Sequence, residues 1–149
     1  MVYLQPMMSM KCKYAIKALI RLGKNYEKGY LQTKDIAEKD KIPKKFLEQI
    51  LLELKHARMV NSKQGMGGGY YIIKKPKDIS VADVYRLFDG AIALTPCTSL
   101  NFYEKCEDCK SEKECLLKDE LIKIREGARL VMSKTSIQSF LNKSSKKRK

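Results

Sequence analysis

The sequence predicts a mostly α-helical chain with a small β-hairpin wing: a winged helix-turn-helix followed by a long C-terminal dimerisation helix. Three observations carry this. Apolar residues recur at three- and four-residue steps through residues 9–25 and again through 43–57, which is the periodicity of amphipathic helices. A glycine-rich stretch between two short β-prone runs follows the second helix, as a hairpin requires. A further heptad-like run comes after a segment dense in cysteine. The expected organisation is a lead segment over 1–8, disordered or extraneous to the fold, then a winged helix-turn-helix over 9–90 and a cysteine-rich loop over 91–115. A dimerisation helix with a short C-terminal helix follows over 116–142, and a basic disordered tail over 143–149.

In the first helix Cys12, Ala15, Ile16, Leu19 and Leu22 form the apolar stripe, while Lys13, Lys17, Arg21 and Lys24 line up on another face as cations that could follow a phosphate backbone. Thr33 is placed to cap a short second helix with Ile36 and Ala37 inward, ending by Asp40 or Lys41. Ile42 anchors the turn, and Pro43 suits the first position of the third helix, where its missing N–H costs nothing. Phe46, Leu47, Ile50, Leu51 and Leu54 share one arc of that helix; Lys44, Lys45, Glu48, Gln49, Leu52 and Lys55 share the opposite one.

Two helices joined by a tight turn, the second bearing Lys, Glu and Gln near its start, fit a major-groove reader. Lys can reach guanine O6 and N7, Gln can pair with adenine, and Glu can accept from cytosine N4. Leu52 on the polar face is unexplained, though a thymine methyl or another protein surface would accommodate it. Strands over 59–64 and 70–74, with Gly65, Gly67, Gly68 and Gly69 between them, form the wing. A phosphate-binding loop is excluded, because the run lacks a Lys-Ser/Thr ending and leads into a strand. Ser80 and Asp83 form a capping box ahead of a helix that turns Val81, Val84, Tyr85 and Phe88 inward. From Leu116 to about Ser133, Leu117, Leu121, Ile124, Ala128 and Val131 make a seam suited to a second copy.

Length and charge agree. At 149 residues the chain accommodates one ordinary domain with an appended helix. Its net charge of +14 is uneven: residues 1–90 carry 18 cations against 9 anions, residues 91–142 are neutral, and 143–149 add five cations. A basic first part beside a neutral remainder predicts a polyanion-binding module joined to something else. No apolar run approaches membrane-spanning length, and Met1 to Met8 lacks the pattern of a secretory signal, so a cytoplasmic protein is expected. No paired acid and base or activated nucleophile stands out, so an enzyme is not expected.

"KCKYAIKALIRL", "LQTKDIAEKDKIPKKFLEQILLELKHARMVNSKQGMGGGYYI" and a cysteine cluster ahead of a long helix together resemble the bacterial winged-helix regulators of the IscR, NsrR and CymR family, from about Ser9 to about Leu141. The resemblance implies a homodimeric, cytoplasmic transcription regulator binding partly palindromic double-stranded DNA. It places base reading on Lys45, Glu48 and Gln49, and the wing contact on Lys63 and Gln64, where Gln64 stands in place of the arginine some members carry. With Lys13, Lys17, Thr33, Lys44, Gly67 and Gly68 these make up the expected DNA surface.

Iron-sulfur members of the family use three cysteines and one other ligand for a 2Fe-2S or 4Fe-4S cluster. Cys109 and Cys115 fit that spacing; Cys97 and Cys106 compete for the third place, and the position of the family's histidine ligand is Lys118. The only histidine, His56, falls at the end of the third helix. Alternatively Cys97, Cys106, Cys109 and Cys115 supply all four ligands, to a cluster or to a structural zinc. Acidic residues outnumber basic ones by one between Cys97 and Lys118, so local cations do little for four free thiolates and a metal would do more. An iron-sulfur cluster is favoured, zinc is the runner-up, and metal-free redox thiols are the third reading. Cys12 belongs to the core stripe. A basic RNA-binding protein with a zinc knob remains the alternative from another class.

Overall fold

The computed structural model describes residues 8–147; most of the predicted lead segment and the last two residues of the tail lie outside them. In chain order the elements are α1 Met10–Lys24, α2 Thr33–Asp40, α3 Lys44–His56, β1 Val60–Lys63, β2 Gly69–Ile72, α4 Val81–Phe88, α5 Lys118–Lys134 and α6 Ile137–Lys146, with 3-10 turns at Pro76–Asp78, Pro96–Thr98 and Glu112–Glu114. This is the expected winged helix-turn-helix with a long helix after it.

Ser9 caps α1, its hydroxyl accepting from the Cys12 amide at 3.1 Å, and Cys12, Ala15, Ala18, Leu19, Leu22 and Gly23 are buried along one face. Ile16 is only half-buried and Ala18 takes the inner position. Thr33 does not cap α2. The cap is Gln32, with no side-chain bond, and Thr33 is the first helical residue. The cause lies just upstream: Leu31 exchanges two backbone bonds with Tyr70, at 2.9 and 2.8 Å, holding the chain extended and moving the start of the helix by one residue. Lys41 ends α2 in a left-handed conformation, and Ile42 is buried with its amide donating to Ala37 at 3.0 Å. Pro43 stands one residue before α3, in the cap position, rather than within its first turn. Leu47, Ile50, Leu51 and Leu54 are buried, and Phe46 meets Tyr14 edge-on at 5.8 Å.

β1 and β2 pair antiparallel, Val60 opposite Ile72 and Lys63 opposite Gly69, and both are shorter than predicted. The Leu31 bridge adds a third extended segment beside β2, and glycine is required there: a Cβ on Gly69, at φ +148°, would sit 2.4 Å from the Leu31 carbonyl oxygen. The Ser80–Asp83 capping box forms and starts α4.

The last two helices differ most from expectation. α6 packs on α1, where Ile137 enters the same buried core as Leu19 and Leu54 and a Cβ on Gly23 would lie 3.2 Å from Leu141. Backbone bonds from Val81 to Thr135 and from Ile137 to Ile79 fasten its start to the winged domain. A Ser136–Ser139 capping box begins α6, which stays helical through Lys146, so Lys143 to Lys146 are not the disordered run their composition predicts. α5 begins at Lys118 rather than Leu116 and buries no residue; Leu117, Ile124 and Val131 of the predicted seam are 68%, 52% and 65% exposed.

Candidate nucleic-acid interface and cysteine site

On α3 the lining-up of charge follows from helical spacing: with the apolar arc turned inward, Lys44, Lys45, Glu48 and Gln49 are exposed together near the N-terminus. Lys44 and Glu48 face one another at 3.9 Å, an exposed pair too weak to hold either side chain from another partner. Leu52 continues this face at 49% exposed. Thr33 is half-exposed at the first turn of α2.

The cationic stripe of α1 divides in two. Lys13 and Lys24 are exposed. Lys17, by contrast, donates to the Asp40 carbonyl at 3.1 Å, and Arg21 clamps the Asp40 carboxylate with bonds of 2.9 and 2.8 Å, which raises the guanidinium's already high pKa. These two side chains tie α1 to the end of α2, Lys17 through the Asp40 carbonyl and Arg21 through its carboxylate, so Lys17 serves an internal tether where the sequence suggests a free cation.

At the wing, Lys63 is exposed with its ammonium 5.4 Å above the Tyr30 ring, and Gln64 is exposed beside it. Gly67 turns the tip at φ +73°, and a Cβ on Gly68 would meet the Lys63 carbonyl oxygen at 2.2 Å. Met66 projects fully from the tip. Tyr30, edge-on to Tyr71 at 5.1 Å, and Lys55, which donates to Ser62 at 2.7 Å, brace the wing against the helices. Neither brace is visible in the sequence, because each joins residues whose proximity depends on the fold.

Cys97, Cys106, Cys109 and Cys115 are free, half-buried and line one cavity of about 460 Å³ together with Thr95, Glu112, Lys118 and Leu121. The Cys109 amide donates to the Cys106 carbonyl at 3.0 Å, closing the turn between them, and the Thr95 hydroxyl lies 3.4 Å from the Cys97 sulfur. A hydrogen bond with Cys97, aided by burial, pushes the Cys106 thiol up. Lys118, at the position of the family's histidine, is bound to Glu112 at 3.1 Å, and the Tyr103 hydroxyl donates to the same carboxylate. These bonds lower the Glu112 pKa and raise that of Lys118, keeping the ammonium charged and unable to act as a ligand. Among the described residues no three donors converge on one point as a metal would require. The donor set nevertheless suits a thiophilic metal or cluster: four sulfurs share one cavity, with no competing imidazole.

Two side chains position this loop, and sequence reasoning had no signal for either. Arg125 of α5, only 12% exposed, donates to the Thr98 carbonyl at 2.7 Å. Tyr103 closes the Glu112–Lys118 pair from the other side. The two remaining candidates lie apart from the cavity: His56 is exposed at the end of α3, and Cys12 is fully buried with its thiol raised to about 12 by burial and by Asp89.

Residues 8–143 match the family model of Rrf2, described as an iron-dependent transcriptional regulator. A Rhodobacter capsulatus protein named as an rrf2-like HTH-type transcriptional regulator is 40% identical over 115 residues, 75% of this chain and 77% of that one. The HTH-type transcriptional regulator CymR of Bacillus subtilis is 28% identical over 132 residues, 89% of this chain and 87% of that one. Among solved structures, that of CymR (YrzC), the global cysteine regulator of B. subtilis, superposes with a TM-score of 0.71 at 27% identity, covering 94% of this chain and 96% of that one. T. potens IscR superposes with a TM-score of 0.72 at 23% identity, over 93% of this chain and 88% of that one, a likeness of fold.

Proposed function

The chain belongs to the Rrf2 family of DNA-binding transcriptional regulators and is not an enzyme, and from that premise we propose that it is a cytoplasmic homodimer whose hold on a partly palindromic operator responds to a cofactor carried by its cysteines. Lys45, Glu48 and Gln49 read base edges in the major groove. Lys13, Lys44, Thr33 and the wing residues Lys63, Gln64, Gly67 and Gly68 hold the flanking backbone and minor groove, and Lys17 holds α1 and α2 in place beneath them. The exposed α5 seam supports a second copy as its cover, and among the described residues no helix is long and apolar enough to cross a membrane.

The observation that carries the sensing role is the gathering of Cys97, Cys106, Cys109 and Cys115 around one cavity fastened to α5 by Arg125. These four cysteines would hold an iron-sulfur cluster, which when bound supplies a redox- and nitric-oxide-reactive centre. A change in the loop would reach the two recognition helices through the dimer helix, altering their spacing. Zinc is the second reading, favoured by the two-residue interval between Cys106 and Cys109.

Anaerobic preparation of the full chain, with a visible spectrum and iron, sulfide and zinc analysis, tests the cofactor. Colour with stoichiometric iron and sulfide is expected, and a colourless zinc protein would replace the cluster. A duplex selected from a random library tests the rest. The expected result is binding as a dimer with a steep salt slope, lost on a single half-site; equal affinity for single-stranded RNA would overturn the DNA reading.

A further inference from the structure

We propose that when the cysteine cavity is without metal, Cys97 and Cys106 are the pair that a hydroperoxide converts to a disulfide. This rests on the loop being the sensing site and adds a second state to it. With four cysteines, six pairings are open, and the two-residue interval makes Cys106 with Cys109 the obvious choice from sequence. The fold favours another. The Glu104 amide donates to the Pro96 carbonyl at 3.3 Å, folding the loop so that the residues just beyond each, Cys97 and Cys106, are brought side by side on the wall of the same cavity. The turn from Cys106 to Cys109 is closed through the backbone, by the Cys109 amide on the Cys106 carbonyl. Cys115 lies beyond the Glu112–Glu114 turn.

Both sulfurs border the open cavity and are half-exposed, so a small peroxide can reach them. The Cys97 sulfur, beside the Thr95 hydroxyl, attacks one peroxide oxygen. The O–O bond breaks, leaving a sulfenic acid and one molecule of water or alcohol. The Cys106 sulfur then displaces the sulfenic hydroxyl, which leaves with the Cys106 thiol proton as water. Two thiols lose two electrons, and one hydroperoxide gains them. The product joins the Pro96–Thr98 turn, which Arg125 binds to α5, directly to the Cys106–Cys109 turn. Oxidation would thereby stiffen the same loop that a cofactor would organise.

The test uses the full-length chain stripped of metal, treated with one equivalent of hydrogen peroxide, alkylated and digested with trypsin without reduction. Cleavage after Arg86, Lys105, Lys110, Lys113 and Lys118 puts Cys97 in one peptide, Cys106 with Cys109 in a second, and Cys115 in a third. The expected product joins the first two, survives Cys109→Ala and is lost in Cys106→Ala. A dominant link within the second peptide, a link to the third, or oxidation without any link would overturn the proposal. Metal analysis of the untreated protein separates the two readings. A chain that never loads a cluster but forms this bond keeps the inference, and one that loads a cluster yet forms a different bond sinks it alone.

Discussion

Among the described residues, eleven of the twelve largest fully buried side chains lie between α1 and α4 or in α6, from Leu19 and Leu47 to Ile137, and the other is Thr98 of the cysteine loop. α5, with 17 residues, contributes none. The winged domain is held by its own apolar burial, whereas α5 lies along α4 without burying a residue and the loop is held by point contacts such as Arg125 on Thr98 and Lys118 on Glu112. Burial is cooperative and leaves little to regulate. Point contacts can be made and broken singly, which suits a region that must exist in two states.

That contrast can be broken most sharply in the core. Ile50→Ala should cost about 2–5 kcal/mol, read as a shifted denaturant midpoint, because it empties a fully buried position. Val131→Ala, at an exposed seam position, should leave the midpoint of the isolated subunit nearly unchanged. An equal loss at both sites would show that the two regions fold as one.

In the second region, Arg125→Gln removes a charged donor from a carbonyl and should weaken the loop locally by about 1.5–3 kcal/mol. Amide hydrogen exchange should quicken around residues 96–99 while protection of α1 and α3 persists. Uniform quickening across all helices would place Arg125 among the determinants of global stability.

On the DNA face, Lys45→Ala should cost about 1–3 kcal/mol against a selected duplex if its base contact is lost, with little change on a scrambled one and none in thermal stability. Fluorescence anisotropy on the two duplexes measures it. An identical loss on both would make Lys45 a backbone contact.

The smallest effects separate the regions by pH. Cys12 has its pKa raised from 9.0 to about 12 in the folded core, so its contribution to stability is whole below 9 and is lost as pH rises toward 12. Glu112 is lowered below its usual 4.5, so its contribution is present above that value and is lost as pH falls through the folded pKa. Unfolding curves should weaken at the alkaline end, and at the acid end the NMR resonances of the Glu112 side chain should shift only below 4.5, with the core still unmoved. Early movement of the core at acid pH would contradict this division.

Helix and hairpin placement was legible because each rests on local chemistry: the three- and four-residue apolar steps of α1 and α3, the glycines of the wing, and the Ser80–Asp83 capping box. The exposed face of α3 followed from the same periodicity. The start of α2 did not, because the Leu31–Tyr70 bridge that sets it joins residues far apart in the chain. The fate of Lys17 also escaped the sequence, since an exposed cation and a tether to Asp40 have the same spacing on α1.

By itself, then, the sequence determined the elements, the basic first part and the presence of four clustered thiols, all properties of neighbouring residues. Only the tertiary structure decided that Ile137 returns to close the core, that α5 buries no residue, that Lys118 is bound to Glu112, and that Cys97 and Cys106 are brought to the wall of one cavity. Each of these depends on where distant segments meet, and that is set by how the apolar surfaces pack and how buried polar groups find partners across the chain.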